Sequence, residues 1–299
     1  MTWIAFLLVF FSVFLHAGWN FLSKSTRPSG AFFLLSSSTA ALLLLPIFLA
    51  SDWRGLGVLP FRFWLLLTGS GCFEILYCLG LAYAYRRCDI SLAYPLARAL
   101  PVLLVAAVTA VFGIGRFPGV VALAGMAVIT AGCLLLPLDG RFQWTNYCNR
   151  AVLFILLAAA GTTGYTIVDS VSMALLRESA VQSALRSSLQ YIFMIESLIA
   201  VGLAVYVQLV PVERREFRRL FLKSPYPLIS GACSASAYLL ILIAMGHVSN
   251  VSFIQAFRQM SLPLGVLAGI LLLKERCSRE KLFGVALIVI GLMMTAFGR

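Results

Sequence analysis

Long apolar runs broken by short polar punctuation dominate the chain. Ten stretches stand out, at residues 3–23, 31–50, 63–84, 91–112, 118–137, 151–173, 188–210, 226–245, 250–272 and 281–298. Each approaches the roughly 20 apolar residues that carry a helix across a bilayer. The connections are short: Ser25-Thr26-Arg27-Pro28, Ser51-Asp52-Trp53-Arg54-Gly55, Pro137-Leu138-Asp139-Gly140-Arg141, and Glu213 through Lys223. None has room for a soluble domain, and the alternation of a membrane β-barrel is absent. The pattern predicts an all-α polytopic membrane protein of ten transmembrane helices.

Ten helices invite a search for two halves. Residues 66–98 slide onto 226–258 without a gap. Ser70-Gly71 then falls on Ser230-Gly231, Leu79 on Leu239, Ala84 on Ala244 and Arg98 on Arg258. The spacing Gly125…Gly132 in helix five recurs as Gly284…Gly291 in helix ten. Because five spans is an odd number, a second half would enter the membrane upside down. The expectation is two inverted five-helix repeats, 1–149 and 150–299.

Composition narrows the class. Of 299 residues 61% are hydrophobic and 11% charged, with mean hydropathy +0.97. Ordinary soluble domains carry about 25% charged residues, so a soluble enzyme or nucleic-acid module is excluded. The net charge of +12 lies mostly in short clusters between apolar runs. The loops after helices one, three, five, seven and nine hold 15 of the 23 Lys and Arg. The positive-inside rule places those loops in the cytoplasm and both termini outside. Seven scattered cysteines without a C-x-x-C pair form neither a disulfide framework nor a zinc site. Two histidines argue against a metal centre, and no phosphate-binding G-x-x-x-x-G-K-[ST] loop appears. No cofactor is expected. The first stretch, without a basic leader, is read as a retained span rather than a signal peptide.

Charged groups inside the spans are the candidates for function, because each costs about 2.5–3.5 kcal/mol to insert. Arg98 and Arg258 each lie about 10 Å into a helix at 1.5 Å per residue. On a pseudo-twofold axis they would form one cationic centre suited to carboxylate or phosphate. Alternatively they pair with Glu74, Glu196 or Asp169 and lock helices together. Those three carboxylates and His16 are the candidates for charge pairing or proton coupling. Pro95 and Pro101 flank Arg98, and Pro263 follows Arg258, so all three are candidate hinges. Trp19, Asn20, Tyr94, Tyr165 and Gln255 complete the expected substrate-binding set.

Three stretches carry a family likeness: His16-Ala17-Gly18-Trp19-Asn20, Asp89 through Arg98, and Gln255 through Glu275. With them the chain resembles the drug/metabolite transporter superfamily, specifically its EamA-type ten-helix exporters. The first repeat departs from the pattern, since Arg116 stands where Glu275 stands in the second. The resemblance implies alternating access around a central cavity and export of a small anionic or zwitterionic metabolite. Amino acids and opine-like metallophores are the leading cargo, with drugs, nucleotide sugars and phosphorylated metabolites as alternatives. It also implies a bacterial inner membrane and both termini in the cytoplasm, opposite to the charge count. The partners in this reading are a small-molecule substrate and the lipid bilayer, without nucleic acid; a homodimer is left open. An intramembrane aspartyl enzyme and a channel or receptor are the competing classes. The first needs two facing aspartates, and only Asp169 lies within a span; Asp89 lies near a helix end.

Overall fold

A computed structural model describes residues 2–26, 28–87, 90–136, 150–179, 183–264, 266–267 and 278–298. The side chains of residues 20–26, 54, 90–94, 150 and 179 are not among those described. The described residues are helical, with short connections and no strand. In chain order the helices are α1 (Trp3–Thr26), α2 (Gly30–Leu49), α3 (Phe61–Tyr85), α4 (Ile90–Val111), α5 (Val120–Leu135) and α6 (Arg150–Ser179). They continue with α7 (Ala184–Leu209), α8 (Pro211–Leu220), α9 (Tyr226–Met245), α10 (Val251–Phe257) and α11 (Arg279–Phe297). Two 3-10 turns, Trp53–Val58 and Arg258–Met260, complete the described elements.

Among the described residues six helices are long and apolar enough to cross a membrane: those spanning Gly30–Leu49, Phe61–Tyr85, Ala151–Glu178, Ala184–Leu209, Tyr226–Met245 and Arg279–Phe297. Three more are apolar but shorter: Trp3–Trp19, Pro95–Val111 and Val120–Leu135. Large apolar side chains such as Leu42, Leu65, Val111, Val120, Val201 and Val205 face outward. An apolar exterior of this kind is consistent with a membrane protein, because lipid wets it as well as a core does.

Helix starts follow from capping side chains that satisfy otherwise orphaned amides. Ser29 accepts from Phe32 N at 3.0 Å, Asn250 from Ser252 N at 2.8 Å and Ser278 from Lys281 N at 3.3 Å. The most extensive pairings are α3 with α6, α5 with α11, α1 with α9, and α2 with α7. Glycine sets the closest of them. A Cβ on Gly125 would stand 2.7 Å from the Gly291 carbonyl oxygen, and one on Gly291 2.6 Å from that of Gly125. Gly132 and Gly284 repeat the relation at 2.7 and 2.8 Å. The seven-residue spacing shared by the two helices is therefore a reciprocal backbone contact, possible only without side chains.

Two expectations are corrected. The segment 213–223, read as a loop, begins as helix α8, started by Pro211 in its first turn. Its Glu213 side chain is 2% exposed, accepting from Ala31 N at 3.0 Å and pairing with Arg86 at 2.7 Å. A buried carboxylate thus binds three connections into one end of the bundle. Second, the apolar run 250–272 is not one uninterrupted α-helix. Helix α10 tightens into the 3-10 turn at Arg258–Met260 before residues 261–264 resume. Pro263 has no amide for the Gln259 carbonyl and crowds it, which favours tightening one turn earlier.

Candidate functional site

At the broken helix a cavity of about 80 Å³ opens between α1, α2, α3, α6, α7 and α9. That volume admits about half a dozen waters. Its charged wall consists of Arg258, Glu74, Glu196 and His16, with Trp19, Tyr77, Tyr165 and Tyr238 supplying aromatic faces. Ser36, Ser37, Ser230 and Ser234 line it as well. A second cavity of about 20 Å³ adjoins Arg98, Thr162 and Gln255, and shares Tyr77, Tyr165 and Arg258 with the first.

Arg258 is 5% exposed and is held by neutral groups. Its terminal nitrogen Nη2 lies 2.8 Å from His16 Nε2, while Nη1 reaches the Tyr165 hydroxyl and Gln255 Oε1, each at 3.5 Å. A guanidinium has no acceptor, so His16 Nε2 accepts and the imidazole is neutral with its proton on Nδ1. Arg258 Nε is buried without a partner among the described residues. No described carboxylate comes within 4.0 Å of this guanidinium. Glu74, on the same cavity wall, makes no hydrogen bond to a described residue. A buried cation held by neutral groups can exchange them for an anionic ligand without first breaking an ion pair.

Arg98 differs from Arg258, against the expectation of an equivalent pair. Its Nη2 donates to the Arg258 carbonyl oxygen at 2.7 Å, and its Nε to Gln259 Oε1 at 3.4 Å. That carbonyl also accepts from the Ser261 hydroxyl at 3.0 Å. Arg98 thus braces the broken backbone that presents Arg258. On the α4 side the helix runs through Pro95 and Pro101. Among the described residues near the two arginines, the change to a 3-10 turn lies before Pro263.

Asp169 is fully buried and stands apart from both arginines. It accepts from the hydroxyls of Ser70, Tyr191 (2.5 Å) and Tyr238. These come from α3, α7 and α9, so one carboxylate ties four helices. Tyr238 bridges it to the cavity, since its ring lines that wall. No second aspartate is among its described partners. Glu196 is buried in the cavity wall near Ser37. The pairing of arginine with Glu74, Glu196 or Asp169 that the sequence left open is not made by Arg258.

Of the other expected residues, Trp19 is buried in the cavity wall, with Nε1 unpartnered among the described residues. Tyr165 and Gln255 both touch Arg258. The side chains of Asn20 and Tyr94, and residues Asp89 and Glu275, lie outside the described residues. Arg116 is exposed at the turn where its amide bonds to the Ser249 carbonyl at 2.9 Å. Sequence reasoning missed Tyr191 and the serines of α2 and α9. Nothing distinguishes them within apolar runs, although Ser230 aligned with Ser70 in the repeat comparison.

No family model matches the chain, and no curated protein does either. A solved structure described only as "Crystal structure of protein" aligns over 97% of this chain and 95% of its own, with a TM-score of 0.68 and 18% identity. The chain therefore shares its helical fold with a known protein along nearly its whole length.

Proposed function

We propose that the chain is a secondary transporter that moves a small anionic or zwitterionic metabolite by alternating access. The observation that carries this reading is Arg258, a buried cation whose partners among the described residues are all neutral, sharing a cavity with Glu74, which bonds to none of those residues. A solute bearing a carboxylate meets Arg258 and the Trp19 indole N–H, and an ammonium on the same solute meets Glu74 and Glu196. The likeness to ten-helix exporters supplies the direction, outward across a bacterial inner membrane, and the amino-acid or opine-like class of cargo. Ten spans in two inverted repeats, 1–149 and 150–299, fit the reciprocal glycine contact of α5 with α11. They also fit the correspondence of the α3–α6 pairing with the α9–α1 pairing. Exchange of His16, Tyr165 and Gln255 for substrate at Arg258 would be the binding step, and motion about the break before Pro263 the access step.

The test has two stages. Metabolites are compared between cells with and without the protein, and the accumulating compound is then followed into proteoliposomes. Arg258→Gln is expected to lower uptake by at least about 100-fold, since two charge-assisted hydrogen bonds are worth about 3 kcal/mol or more. Full transport by a variant lacking both Arg258 and Glu74 would overturn the reading.

A further inference from the structure

Helix α8 and the turn after it carry an exposed, cationic surface. Glu213, Phe217 and Leu220 face inward. The opposite face shows Arg214, Arg215, Arg218 and Arg219, followed by Lys223. Arg214 donates to the Gln208 carbonyl and Arg219 pairs with Glu216. Arg215 and Arg218 have no partner among the described residues. Apolar side chains flank these cations: Val212 is 64% exposed and Leu222 85%.

Leu222 has φ 55°, the one positive value at a residue other than glycine among those described. It follows Phe221 at φ −59°, ψ 122°, and Lys223 N returns to the Leu220 carbonyl at 3.2 Å. This is a type II turn with leucine at the position that favours glycine. A branched side chain there is strained and gains no packing in return within the chain. Four arginines level with an outward apolar wedge is the arrangement of a helix lying in a bilayer interface, cations at lipid phosphates and wedge among acyl chains.

We infer that α8 with Leu222 is a docking surface for anionic phospholipid: Arg215 and Arg218 bind headgroup phosphates while Leu222 inserts beneath them. Seating the helix this way also holds Glu213 against Ala31 N and Arg86, at the end of α2 whose first turns reach the cavity. The inference rests on the chain spanning a bilayer, and does not depend on which solute it carries.

Full-length protein in nanodiscs of phosphatidylglycerol and phosphatidylcholine is irradiated with benzoyl-phenylalanine in place of Leu222, and lipid adducts are read by mass spectrometry. The same probe at Val205, exposed on α7, serves as the control for lipid contact. Adducts at 222 are expected to match those at 205. They should fall several-fold in R215Q/R218Q or in phosphatidylcholine alone, while those at 205 stay constant and 20 mM inorganic phosphate does not compete. A second variant, L222G, relieves the turn and is expected to unfold no earlier than the native chain in detergent. In nanodiscs it should lose amide-exchange protection over 211–223. Adducts at 205 without adducts at 222, a yield at 222 indifferent to both arginines, or unchanged protection in L222G overturns the inference with the membrane reading intact. Absence of adducts at both positions overturns it together with that reading.

Discussion

Replacing Arg258 by methionine separates a functional cation from a structural one, because the two change stability with opposite sign. An arginine that locks helices through a buried ion pair costs about 3–5 kcal/mol to remove, since its carboxylate partner is left uncompensated. Arg258 has no such partner within 4.0 Å among the described residues. Of its three hydrogen bonds, only that to His16, at 2.8 Å, falls within the normal range; those to Tyr165 and Gln255 are 3.5 Å. Losing the good bond costs about 1.5–3 kcal/mol, which removing the orphaned Nε, at about 1–3 kcal/mol, roughly offsets. Apolar replacement of buried ionic groups is often neutral or stabilising by about 1–4 kcal/mol. The expected result for R258M is therefore a change between zero and about 2 kcal/mol of added stability. At about 2–4 °C per kcal/mol for a large domain, Tm should rise by up to about 8 °C. Thermal unfolding of the detergent-solubilised protein, followed by tryptophan fluorescence, reads this without knowledge of the substrate. A fall equivalent to 3 kcal/mol or more would refute the reasoning and make Arg258 a structural pair. R98M serves as the contrast: it strips the 2.7 Å donor from the Arg258 carbonyl and is expected to destabilise by about 1.5–3 kcal/mol.

Other variants probe the frame around the site. G132A and G284A should each cost about 1–3 kcal/mol by overpacking. The double variant should cost less than their sum, since one separation of α5 from α11 relieves both contacts; strict additivity in chemical denaturation would contradict the shared crossing. D169N replaces an acceptor of three hydroxyls by a group with one acceptor oxygen, and about 2–3 kcal/mol of lost stability is expected. Y191F and Y238F should each lose less than D169N in the same assay. E213L removes both the acceptor of Ala31 N in the first turn of α2 and the Arg86 partner and should cost about 2–3 kcal/mol, whereas R86Q, at a side chain one third exposed, should cost about 1 kcal/mol. Equal losses in the two would show that Glu213 acts through the ion pair alone.

Much of the architecture was legible because insertion in lipid leaves few options: apolar runs become helices, and every backbone group is bonded within them. The Gly125/Gly132 and Gly284/Gly291 spacings were legible as a repeat, but that the two pairs meet each other was visible only in the packing. Helix α8 was not legible, because its arginine-rich composition reads equally as a solvated loop. Its fold depends on Glu213 finding Ala31 N and Arg86, 182 and 127 residues away in sequence.

The sequence by itself determined that this chain is helical and apolar, and that a handful of charged residues lie where water is scarce. It also singled out Arg98 and Arg258, from depth and from their shared register. Only the tertiary structure decided that they are unlike: one braces a backbone carbonyl, and the other faces a cavity among neutral partners. Register along a helix fixes how deep a side chain sits, but its partners come from other helices, and packing alone chooses those. For the same reason Asp169, indistinguishable in sequence from a counter-ion, is instead the acceptor at a crossing of four helices.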